Sequence, residues 1–151
     1  MISLSTGFRN ALAVTGSIAA TLEGGGTPTF KINVYDGTPP ATADAALSGN
    51  TLLLTIEDND GPNGLTLEGT STNGAVAKTA AQTWSGTSAA AGTPSFFRIY
   101  RTGEDPSTLS TTLVRMQGSC SSFGADLNLG VSPLAISTLY TIGAFEIRAP
   151  Q

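Results

Sequence analysis

The chain has 151 residues, a formal net charge of −4 and only 12% charged residues. That length suits one domain with a real core and no staples, and the low charge is wrong for a disordered segment. The seven Lys and Arg residues are scattered, which excludes the basic patch of a nucleic-acid binder. The absence of His excludes Ser–His–Asp and Cys–His catalytic sites.

A single cysteine, Cys120, leaves no intrachain disulfide. No apolar run approaches the ~20 residues of a membrane span. The first residues lack the Lys/Arg-led apolar segment of a secretion signal. The expectation is a soluble protein made and assembled in a reducing cytoplasm.

Residues 1–26 read as an N-terminal arm with short helices. Ser5 is an N-cap, and Leu4, Phe8, Ala11 and Leu12 follow at helical spacing. A second helix covers Ser17–Glu23, stopped by Gly24-Gly25-Gly26. The arm either packs on its own sheet edge or docks on a neighbouring subunit.

Residues 27–151 read as an antiparallel β-sandwich, with a jelly roll as one form of it. From Thr29 the period becomes two. Phe30, Ile32 and Val34 alternate with Lys31, Asn33 and Tyr35, and Asp36–Pro40 turns the chain. A helical turn is expected around Ala43–Leu47, then a strand at Thr51–Glu57. Asp58–Gly64 is the strongest loop signal. Short strands follow at Leu65–Glu68 and Ala75–Lys78, with Asn73-Gly74 suited to positive φ between them. Trp84 precedes a small-residue loop. The expected later strands are Ser95–Arg101, Thr111–Gln117, Asp126–Leu129 and Thr138–Arg148.

In Ser95–Arg101, Phe96, Arg98 and Tyr100 share one face while Phe97 and Ile99 share the other. Burying an unpaired guanidinium is costly. Phe97 and Ile99 are therefore expected to face the core with Ile32, Leu54, Val114 and Phe145. Phe96, Arg98 and Tyr100 are expected to face outward. With Phe8 they form the candidate partner interface, because interface centres favour aromatics and Arg.

Catalytic, cofactor and metal residues are not expected. Cys120 has no His to form its thiolate and reads as a buried or half-buried thiol. Asp58-Asn-Asp60 resembles the start of a calcium loop. Its fifth position is Pro62 and its twelfth is Gly69, so a plain β-connection is the stronger reading. Trp84, Tyr35 and Tyr100 would be the stacking residues of a competing function, carbohydrate recognition.

Four strings, in order, resemble a family of small virion structural proteins of tailed bacteriophages. They are Leu4-Ser-Thr-Gly-Phe-Arg-Asn-Ala-Leu12, Tyr35-Asp-Gly-Thr-Pro-Pro-Ala-Thr-Ala-Asp-Ala-Ala46, Trp84-Ser-Gly with Ala91-Gly-Thr-Pro-Ser-Phe-Phe-Arg-Ile-Tyr100, and Gly124-Ala-Asp-Leu-Asn-Leu129. The resemblance implies a small β fold like that of capsid decoration, or cement, proteins. It implies a non-enzymatic role in the virion, contact with the major capsid protein or other virion proteins, and a dimer or trimer. Neck, collar and tail positions are alternatives. It supplies no catalytic residues.

Overall fold

The structure, a computed structural model, describes residues 1–24 and 29–148. The elements are β1 (Ser3–Leu4), α1 (Thr6–Thr15), α2 (Ile18–Glu23), β2 (Phe30–Tyr35), β3 (Leu52–Asp58), β4 (Leu67–Thr72), β5 (Ala75–Lys78), β6 (Trp84–Thr87), β7 (Phe96–Arg101), β8 (Arg115–Ser121), β9 (Leu127–Asn128), β10 (Leu139–Ile142) and β11 (Glu146–Arg148). The fold is mainly β. Eight strands make one sheet in the order β1-β8-β7-β2-β3-β6-β10, with β9 parallel to β8 off this path. Three strands make a second sheet, β11-β5-β4. A jelly roll would divide eight strands between two sheets; here the described strands divide eight and three.

The large sheet has one apolar face. Period two along β2, β3 and β7 puts Ile32, Val34, Leu54, Ile56, Phe97 and Ile99 on it, and Met116 of β8 joins them. Phe97 and Ile99 therefore enter the core with Ile32, Leu54 and Val114, and Phe145 packs against the same cluster. The small sheet covers this face through Leu67 and Val76, and the two helices cover it through Phe8 and Leu22. Burying each such side chain stabilises the fold by roughly 1.5–3 kcal/mol.

The arm belongs to this core. Ser5 caps α1 by accepting from the Phe8 amide at 3.0 Å. Its hydroxyl also donates to the Leu113 carbonyl at 2.8 Å and accepts from the Arg115 amide at 2.9 Å. A Cβ on Gly7 would overlap the Thr112 and Leu113 carbonyl oxygens, so only glycine lets α1 lie this close to the strand β8 and its lead-in. Ser17 caps α2, and Gly24 ends it at φ 70°. Gly25 and Gly26 of the expected stop, and the expected boundary at 26/27, lie outside the described residues. Arg101 of β7 donates to the Thr21 carbonyl at 2.9 and 2.6 Å, tying α2 to the large sheet.

Several elements differ from expectation. No helix forms over Ala43–Leu47. The strand expected at Thr111–Gln117 instead runs Arg115–Ser121 and includes Gly118. A Cβ on Gly118 would stand 2.7 Å from both Ile2 and Phe97, so this glycine marks close packing rather than a turn. The expected last strand, Thr138–Arg148, is two strands, β10 in the large sheet and β11 in the small one.

Candidate functional site

The second face of the large sheet is polar, and it is covered. Asn33 and Tyr35 of β2, Phe96, Arg98 and Tyr100 of β7, and Arg115 and Gln117 of β8 are all buried. The loops 36–51 and 102–114 lie over them. Arg98 is 0% exposed. Its Nε donates to Gln117 Oε1 at 2.8 Å and its Nη1 to the Pro106 carbonyl at 2.7 Å. Its Nη2 donates to the Ala45 carbonyl at 2.8 Å and to Thr42 at 3.4 Å. Arg115 donates to the Thr108 carbonyl at 2.6 Å and to Asp105 at 2.5 Å. Gln117 donates to the Pro40 carbonyl at 2.8 Å.

These loops cover the sheet because the guanidinium forks bind their backbone carbonyls. Among the described residues no carboxylate lies within ion-pair distance of either Arg. Burial, and then the neighbouring Arg115, pull the Arg98 guanidinium down to about 10.

The outward placement of Phe96, Arg98 and Tyr100 is therefore overturned. Sequence reasoning assumed an unpaired guanidinium; the loop carbonyls solvate it instead. The Phe96 ring stacks on Tyr35 at 5.2 Å. The Tyr100 hydroxyl donates to Asn33 Oδ1 at 3.2 Å, and Asn33 Nδ2 donates to the Tyr35 hydroxyl at 2.9 Å. Burial raises the pKa of both phenols above the ordinary tyrosine value. None of these rings is a contact surface of the single chain.

The sugar-stacking trio fails for the same reason. Trp84 is fully buried, edge-on to Phe30 at 5.5 Å and tilted against Phe145 at 5.3 Å. Its Nε1 donates to Gln82 Oε1 at 3.1 Å. The small residues after it form β6, and a Cβ on Gly86 would overlap the Thr55 carbonyl of the neighbouring β3. With Tyr35 and Tyr100 also buried, no flat aromatic platform is left to these three residues.

Asp58 and Asp60 do protein work. Asp58 Oδ1 accepts from the Thr83 amide at 3.2 Å. Asp60 accepts from the Thr87 amide and hydroxyl, both at 2.6 Å. The pair fastens its loop to β6. Among the described residues no group of three acidic, Cys or His side chains is placed to hold a metal ion. Cys120 is buried, and burial pushes its thiol up to about 12.

Phe8 is different. It is fully buried, and it lines an apolar cleft of ≈ 460 Å³ that is also lined by residues of β11. Phe97 and Met116, also buried, line it too, with the half-buried Leu4, Phe145 and Ile147. Ile2 and Asp126 are also part of the lining. Sequence reasoning missed the cleft. Its signal was the apolar arm, but the opposing β11 was read as the tail of a longer strand.

Three of the four strings that carry the resemblance bind one another, and the fourth binds β8. Asp44 of the second accepts from the Thr6 amide of the first at 2.8 Å and from its hydroxyl at 2.7 Å, at the positive end of α1. Arg98 of the third donates to Thr42 and Ala45 of the second. The Ser95 amide of the third donates to Tyr35 of the second at 2.9 Å. Asp126 of the fourth accepts from the Ser119 hydroxyl of β8 at 2.7 Å and from its amide at 2.9 Å. These contacts pack helix, loops and sheet against one another. No helix among the described residues is long and apolar enough to cross a membrane. A comparison with known proteins finds no matching family model, no matching curated protein and no matching solved structure.

Proposed function

We propose that the chain is a structural, non-enzymatic virion protein that self-associates and binds the capsid lattice, in the manner of a decoration protein. One observation carries the proposal. The ordered strings that resemble phage virion proteins are the residues that lock helix, loops and sheet together, through Thr6–Asp44, Arg98–Ala45 and Ser95–Tyr35. A protein whose recognisable residues are spent on rigidity is suited to work by shape, repeated over many copies. Weak contacts then add through multivalency. The low charge fits partners fixed by symmetry rather than by electrostatic steering.

Co-sedimentation tests this. The purified chain is mixed with separated capsid, neck and tail fractions. It is expected to pellet with empty capsids. Binding to neck or tail alone would move its place within the virion, and binding to no fraction would overturn the proposal.

A further inference from the structure

We propose that the cleft between α1 and β11 is a socket for Phe123 of a second copy of this chain, in a two-fold dimer. This deepens the self-association part of the proposed function and rests on it.

The cleft asks for an apolar occupant. Its lining with surface open to water is Ile2, Leu4, Leu12, Ile18, Phe145 and Ile147, all apolar. Leaving such surface against water costs about 25 cal/mol per Å². The charged groups beside it are already matched. Arg148 donates to Glu146 at 2.6 and 2.9 Å, and Asp126 pairs with the N-terminal ammonium of Met1 at 2.9 Å. Among the described residues no charge beside it is left over to select a charged ligand. A cavity of roughly 150 Å³ lined by aliphatic and aromatic groups already takes a benzene ring. At ≈ 460 Å³ this one takes a phenyl group with room for the residues flanking it.

The chain carries a matching knob. Phe123 is 78% exposed, whereas Phe8, Phe30, Phe96 and Phe97 are buried and Phe145 is half-buried. It stands in the connection between β8 and β9, followed by Gly124 at φ 73°. It makes no aromatic pair within the described chain.

Position makes a second copy able to supply the knob. Asp126 lines the cleft, and Phe123 is three residues away from it. Three residues span at most about 10 Å, so knob and socket share one side of the molecule. A two-fold axis through that side brings each knob to the other copy's socket at once. Such an isologous contact closes on itself and does not propagate into fibres. Ile2, also 43% exposed, lines the socket and would meet the incoming ring.

The test uses the purified full chain. Sedimentation equilibrium is expected to show a reversible dimer. Phe123→Ser, in an exposed loop, is expected to weaken the dimer at least about thirty-fold, the scale of an aromatic hot spot, and to leave circular dichroism unchanged. Mixing F123C chains with I2C chains under mild oxidation is expected to give a disulfide-linked pair that neither chain gives alone. Native Cys120 is buried and does not compete. A wild-type chain that is monomeric at every concentration overturns the proposal. So does a dimer indifferent to Phe123→Ser that forms no mixed cross-link. A monomeric chain whose capsid binding is lost in Phe123→Ser overturns the dimer too, and leaves the virion proposal standing.

Discussion

Arg98 and Ala45, 53 residues apart in the chain, are joined by a 2.8 Å hydrogen bond from a fully buried guanidinium to a loop carbonyl. The same guanidinium holds Pro106 and Gln117. Removing it strands several buried acceptors at once. Arg98→Ala is predicted to cost roughly 3–5 kcal/mol, comparable to the roughly 3–5 kcal/mol of Phe97→Ala. Arg98→Lys should recover little, because one ammonium cannot reach Gln117, Pro106 and Ala45 together. Urea unfolding of the three variants measures this. An Arg98→Ala chain as stable as wild type would mean that the loops are held by something else.

The arm gives a second prediction. Phe8 and Leu22 are in the core, and Gly7 touches the Thr112 and Leu113 carbonyls. Deleting residues 1–12 should therefore disrupt the β fold rather than only its assembly, as read by circular dichroism. Gly7→Ala should cost about 1–3 kcal/mol through overlap with backbone that cannot yield. Gly16→Ala, at φ 66° but with open space around it, should cost only the left-handed strain of about 1–2 kcal/mol. Equal melting temperatures for the Gly7 variant and wild type would count against the close docking of α1.

Much of the fold was legible because local signals and tertiary packing agree there. Ser5 and Ser17 cap their helices as their positions suggest, Asn73 and Gly74 take positive φ between β4 and β5, and strict alternation set the core face of β2 and β7. What failed was long-range. The burial of Arg98 depends on carbonyls from Thr42, Ala45 and Pro106, which no local pattern around Arg98 announces. Gly86 and Gly118 read as loop residues because glycine is a local turn signal. Here they are strand residues pressed by Thr55, Phe97 and Ile2. The cleft was hidden because it needs the arm and β11, more than a hundred residues apart, to be placed side by side.

Trp84 offers an optical prediction. Its indole is buried between Phe30 and Phe145, and it is the only Trp in the chain. Its fluorescence should be blue-shifted in the native state, protected from acrylamide, and exposed in one step on unfolding. Trp84→Ala should cost roughly 3–5 kcal/mol. Glycan binding lost in that variant without loss of stability would contradict the buried placement.

Alkaline pH separates the buried thiol from the other groups. Cys120 rises from an ordinary 9.0 to about 12 on folding. Its folded pKa lies above its unfolded one, so its contribution is complete below pH 9 and is lost as pH rises toward 12. Tyr35 and Tyr100, also raised, act in the same direction only above their ordinary value of 10.0. Arg98, lowered from 12.5 to about 10, acts oppositely and only above pH 10. Between about pH 9 and 10, Cys120 dominates among these groups, and stability should fall by at most about 1.4 kcal/mol per pH unit. Denaturant unfolding of wild type and Cys120→Ala across this range checks the assignment, and the variant should show a flatter profile. An equally steep fall in both would exclude the thiol as its source.

The central claim, that this chain strengthens a capsid lattice, is tested most directly by the melting temperature of empty capsids with and without saturating protein. The account predicts a higher capsid melting temperature that tracks the number of bound copies, and a smaller rise with the Phe123→Ser chain. Capsids that melt at the same temperature, while the protein stays unbound in the supernatant, would contradict it.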